Sequence, residues 1–146
     1  MHSAIFGPVI ALIGWTLIMW IWMYAKRIPA MQRAGIDAKT KVGGTGADLR
    51  AVLDAKAQWP ADNYNHLLEQ PVIFYAICIV LALMDQGDNL NATIAWAYVA
   101  LRIAHSLVQV TTNRVIVRFS LFSLATIALI MLTVHAAMAY WSVSFH

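Results

Sequence analysis

Charge is scarce in this sequence: Lys, Arg, Asp and Glu make up 12% of the 146 residues, about half the share of a soluble domain. Cysteine is scarcer still. Cys78 is alone, which excludes an intrachain disulfide and leaves the redox compartment undefined; its reading is that of a small core residue. No phosphate loop is present, because Gly43-Gly44-Thr45-Gly46 lacks the Gly-Lys-Ser/Thr ending and follows no strand, so it reads as a flexible turn. There are no internal repeats and no low-complexity tracts. The first apolar run has no basic stretch before it and is longer than the apolar core of a signal peptide, so it is expected to stay as a membrane helix.

What remains is hydrophobic: 61% of the residues are apolar. The reading is a small all-α integral membrane protein of one domain, a four-helix bundle with helices over about 4–25, 60–84, 92–112 and 117–142. At ~1.5 Å per residue each covers the ~30 Å hydrocarbon core. Lys and Arg collect between residues 26 and 59 and again at Arg114 and Arg118, while the turn Asp85-Gln-Gly-Asp-Asn-Leu-Asn91 carries acids and no bases. By the positive-inside rule the 26–59 loop is cytoplasmic and both termini lie on the other side. The net charge of +3 thus marks a membrane face, and no nucleic-acid partner is expected. Within the loop, Thr45 and Asp48 form a variant capping box for a short helix running to Trp59, with Leu49, Val52 and Leu53 on its apolar side.

Two polar stripes stand out against this background. On the second helix Asp62, Asn65, His66 and Glu69 recur at i, i+3, i+4 and i+7; on the third, Arg102, His105, Ser106, Gln109 and Asn113 share a face. A carboxylate in a spanning helix costs at least ~2.5–3.5 kcal/mol unless paired, so Glu69 needs a partner. Measured from the shared outer turn, Glu69 lies ~22 Å and Arg102 ~15 Å deep, a gap an arginine can close by reaching towards the cytoplasm. An ion pair between Glu69 and Arg102 is therefore expected. Pro71 interrupts the second helix one turn from it and frees the carbonyl of Leu67.

Asn65, His66, Arg114 and Arg118 gather at the inner ends. Guanidinium groups beside an apolar wall suit an anion carrying carboxylates, and an arginine beside a bound thiol favours the nucleophilic thiolate. The same arginines also fit headgroup anchors. A metal held by His66, Glu69 and His105 is disfavoured because the chain supplies one His/carboxylate pair and no second copy. His2, His135 and His146 sit towards the outer ends and read as polar satisfiers or interfacial residues.

The motifs Asn63-Tyr-Asn-His-Leu-Leu-Glu-Gln-Pro-Val-Ile-Phe-Tyr75, Leu101-Arg-Ile-Ala-His-Ser-Leu-Val-Gln109 and Asn113-Arg-Val-Ile-Val-Arg-Phe119 resemble the MAPEG family, membrane-associated proteins in eicosanoid and glutathione metabolism, in its bacterial branch. The resemblance implies a homotrimer in the bacterial inner membrane with glutathione, as co-substrate, bound between neighbouring subunits near the cytoplasmic side. The implied reaction is thiolate addition to a lipophilic electrophile, or reduction of a lipid hydroperoxide. Carried over, Arg118 is the catalytic arginine facing the sulfur, and Glu69, Arg102, His105 and Arg114 match ligand-binding positions; Asp62, Asn65, His66 and Gln109 stand where relatives carry other residues, and of these Asn65, His66 and Gln109 are read as ligand-binding too. Two rival classes stay open: a non-catalytic trimeric scaffold or lipid-binding subunit, and a small proton-coupled exporter using Glu69 as relay.

Overall fold

The computed structural model describes residues 2–144; His146 lies outside them. The helices are α1 (Phe6–Arg33), α2 (Ala55–Leu67), α3 (Gln70–Leu83), α4 (Asn89–Thr111) and α5 (Val115–Ser144), with a 3-10 turn at Asp48–Ala51. Three stretches, Phe6–Arg33, Ala55–Leu83 and Val115–Ser142, are long and apolar enough to cross a membrane. α2 and α3 together make one of them, so the chain forms four rods. α4 is the fourth and the most polar, and it packs between α1, α2 and α5.

Two boundaries differ from expectation. α1 continues through Lys26, Arg27 and Pro29 to Arg33, eight residues past the apolar run, so the loop is 34–54. Its end is a Schellman motif: the Gly35 N–H donates to the Gln32 carbonyl and the Ile36 N–H to the Met31 carbonyl, with Gly35 at φ 73°. Ile36 and Met31 pack beneath Ala30 together with Leu49 and Leu53, so the loop folds back under the helix end. The Thr45–Asp48 contact forms, but it closes a turn and not a helix running to Trp59, and Val52 is exposed. The Thr45 amide and hydroxyl both donate to the Asp48 carboxylate, at 2.6 and 3.2 Å, and hold its pKa below the usual carboxylate value. The second change is that α2 begins at Ala55, which places Pro60 inside a helix.

One core runs the length of the bundle. Ile5 just before α1, Leu12 and Met19 of α1, Phe74, Cys78 and Leu81 of α3, and Ala95, Tyr98 and Val99 of α4 meet Ala125, Ala128, Leu132 and Ala136 of α5. The alanines let α5 approach α4 closely, which matters in lipid, where packing and not water exclusion drives helix association. The outward faces stay aliphatic, as at Ile10, Leu17, Ile21, Ile73, Ile127 and Ile130, a surface suited to acyl chains or a neighbouring protomer.

The turn between α3 and α4 is pinned to the start of α1. The Ile5 N–H donates to the Gly87 carbonyl at 2.9 Å, and the Ala4 N–H donates to the Asp88 carboxylate at 2.7 Å, a negative group at a helix N-terminus. A Cβ on Gly87 would overlap Ser3 Oγ and lie 2.8 Å from Ile5 Cγ2 and 3.2 Å from Ala82 Cα. The serine can swing away; Ile5 and the backbone at Ala82 cannot. Gly87→Ala is expected to cost about 1–3 kcal/mol, the usual range for overpacking. A lower thermal midpoint with faster amide exchange at Ala4 and Ile5 is the expected outcome, and unchanged exchange there would show that the turn is not pinned.

Candidate functional site

The site grows from the break between α2 and α3. Pro71, in the first turn of α3, has no N–H to give the Leu67 carbonyl, and the chain turns at Glu69, φ −88° and ψ −95°. A helix end leaves carbonyls without partners, and a cation near a helix C-terminus is favourable. Arg102 of α4 supplies that cation. Its Nη2 donates to the His66 carbonyl at 3.1 Å and to His66 Nδ1 at 2.9 Å. A guanidinium only donates, so Nδ1 accepts, which places the ring proton on Nε2 and makes His66 neutral.

Around this lock the side chains are tightly set. The His66 ring stacks on His105 at 4.8 Å between centroids with a 13° tilt, and its edge meets Phe122 of α5. The Arg102 guanidinium carbon lies 5.6 Å from the Phe122 ring centre, a cation–π contact. One turn further along α4, the Ser106 hydroxyl donates to Asn63 Oδ1 at 2.8 Å. One turn nearer the start of α4 than Arg102, the Tyr98 hydroxyl donates to Gln70 Oε1, and Gln70 Nε2 donates to Thr126. Arg102 is completely buried, and its Nε and Nη1 have no partner among the described residues.

A family model for the MAPEG family matches residues 5–138. The chain belongs to the MAPEG family. No curated protein and no solved structure gives a significant match. Family membership and the apolar helices together make this an integral membrane protein.

In this MAPEG protein the expected Glu69–Arg102 ion pair is absent. Among the described residues the exposed Glu69 carboxylate has no hydrogen-bonding or ion-pair partner, and the ion pair is Arg50–Asp62, on the loop side of α2. The cause is the break: a continuous helix would put Glu69 on the stripe with His66, whereas the turn at Leu68 and Glu69 swings it outward. The structure does bring His66, Arg102 and His105 together. Arg118 is half-buried, with its Nε shielded and unpartnered, and its charge acts on both imidazoles. Arg114 is exposed, and Gln109 is buried further down α4 with its Oε1 unpartnered. Asn65 faces away from His66 and lines a cavity of about 320 Å³ with Arg27, Arg50, Gln58 and Tyr64.

Sequence reasoning passed over Phe122, Asn63 and Gln70. Asn63 carried a usable signal, since it precedes His66 by three residues on one helical face. Phe122 carried none, being one aromatic among many apolar residues of α5. Chemically, the arrangement offers a stacked imidazole pair, one ring of it held neutral, beside a guanidinium that makes no hydrogen bond among the described residues, at the basic end of the bundle.

Proposed function

We propose that this MAPEG protein is a glutathione-dependent transferase or peroxidase for lipophilic electrophiles, working as a homotrimer whose neighbouring protomers enclose the tripeptide at the basic end. The observation that carries the reading is Arg118: a half-buried guanidinium with no hydrogen-bond partner among the described residues, held one turn from Phe122 beside the locked His66–His105 pair. A cation in that place favours the glutathione thiolate over the thiol. The thiolate sulfur then forms the C–S bond while the electrophile's leaving group departs with the bonding electrons, and the thiol proton goes to solvent.

Roles among the other residues follow from their freedom. Glu69 and Arg114 are exposed and unpaired among the described residues, so they can meet the ammonium and a carboxylate of the tripeptide. Arg102 and His66 are occupied with each other and act as positioning residues, as does His105 through its stack. The basic end, with Lys26, Arg33 and Arg118, faces the cytoplasm in this reading.

Arg118→Ala is expected to lower kcat/KM for glutathione conjugation of an aryl halide roughly 100-fold, the scale for removing one charge-stabilising donor. The ultraviolet absorbance of bound thiolate should disappear with it. Wild-type protein that neither binds glutathione nor conjugates the halide would overturn the assignment. A scaffold reading is favoured by one fact, the burial of Arg102 in a lock that ties α4 to the end of α2. It requires Arg118→Ala to leave all properties unchanged.

A further inference from the structure

A second basic feature lies apart from the His66–Arg102 site. Where the C-terminal half of α1, the first turns of α2 and the end of α4 meet, a cavity of about 310 Å³ is lined by Lys26, Arg33, Asp54, Lys56, Trp59 and the Val110–Thr111 end of α4. Three cations face one carboxylate there, and among the described residues none of the four takes part in an ion pair. Lys26 and Arg33 sit seven residues apart on one face of α1, which is why the unexpected length of that helix matters: had α1 ended at residue 25, Arg33 would lie in the loop.

The walls of the cavity differ in character. Lys26 is the first charge after the apolar run of α1, so it marks the edge of the hydrocarbon, and Trp59 beside it has the amphipathic ring that prefers this level. Arg33 lies about 10 Å further along the helix, at the polar end. One turn above Val110 and Thr111 on α4 is Leu107, exposed, and one turn above Lys26 on α1 is Trp22. A ligand seated here would therefore meet three cations with its head and an aliphatic and indole wall with whatever extends into the bilayer.

We propose that this cleft binds the phosphodiester headgroup of an anionic phospholipid. Basic pockets between membrane helices at the interface favour such heads at ~1 kcal/mol per nearby cation. The assignment does not depend on the glutathione reading, since no residue of the cleft takes part in it.

The test uses the full chain in neutral detergent, with retained lipid counted by native mass spectrometry. Wild-type protein should keep phosphatidylglycerol in preference to phosphatidylcholine. Lys26→Gln combined with Lys56→Gln should lower that preference roughly 30-fold, the effect of two headgroup-adjacent cations. Both lysines are exposed, so the fold should survive, and an unchanged thermal midpoint without added lipid confirms it. The pair Lys39→Gln and Lys41→Gln removes equal charge outside the cleft and should leave the preference intact. Equal loss in both double variants would overturn the proposal in favour of diffuse charge. Displacement of the lipid by inorganic phosphate alone would overturn it in favour of a soluble anion.

Discussion

Arg102→Ala is expected to destabilise the bundle by about 2–4 kcal/mol. The variant strips His66 Nδ1 of its donor and leaves the His66 carbonyl with only a long bond from the Glu69 N–H, 3.4 Å, in a part-buried place where an unmet group costs ~1–3 kcal/mol. It also removes the cation from the end of α2 and from the Phe122 ring. Against this stands a relief: Arg102 is completely buried with Nε and Nη1 unpartnered, so its removal returns part of a desolvation cost. The losses exceed the relief because they fall at a helix break, where His66 Nδ1 has no other donor and the long Glu69 N–H bond to the carbonyl is a weak substitute for the guanidinium. Unfolding in mixed micelles by a denaturing detergent would measure it. Arg102→Lys should recover only part of the loss, since a shorter point charge lacks the planar fork. Glu69→Gln is the decisive companion. It should leave stability unchanged, because Glu69 makes no contact with Arg102 within the protomer; a loss as large as that of Arg102→Ala would reinstate the ion pair.

The same region shows what was legible in the sequence and what was not. That Arg102, His105, Ser106 and Gln109 share a buried face of α4 followed from spacing alone, and all four are buried. That Arg102 reaches towards the basic end also followed, from the depth mismatch with the second helix. Its partner did not. Helical periodicity assumes an unbroken helix, and Pro71 makes that assumption fail within one turn of the residue it was applied to. The proline was visible; its consequence, a rotation that exchanges His66 for Glu69, depends on φ and ψ at Glu69. A different kind of signal was present but outweighed at the end of α1. Gly35 followed by Ile36 is a helix-stop pattern, yet the charges from Lys26 onward mark the end of the hydrocarbon, and the end of the hydrocarbon is not the end of the helix. Cys78 behaved as its neighbours required and is buried in the main core. The Gly87 contact with the start of α1 joins residues more than eighty positions apart and had no local signature.

Phe74→Ala is expected to be comparably severe, at about 2–4 kcal/mol, for a reason that separates this protein from a soluble one. Phe74 is completely buried on α3 and lies flat against Tyr98 of α4, 4.3 Å between ring centres and 14° between planes. In water the loss on Phe→Ala is ~3–5 kcal/mol, combining transfer of the ring with the cavity left behind. In a bilayer the transfer part largely vanishes because lipid is as apolar as the core; the cavity and the lost ring contacts remain. The stack also orients Tyr98, whose hydroxyl donates to Gln70 Oε1 at 3.2 Å while Gln70 donates to Thr126 at 2.9 Å, joining α3, α4 and α5 in one polar chain. Tyr98→Phe isolates that chain from the packing, and interhelical hydrogen bonds in membranes average ~0.6 kcal/mol, so its cost should be several-fold smaller. Unfolding both variants in the same micelles gives the ratio. A Tyr98→Phe loss as large as that of Phe74→Ala would mean that hydrogen bonding, not ring packing, fixes α3 against α4. The break at Glu69 would then be held in place by the Gln70 contacts on its outer side as much as by Arg102 on its inner side.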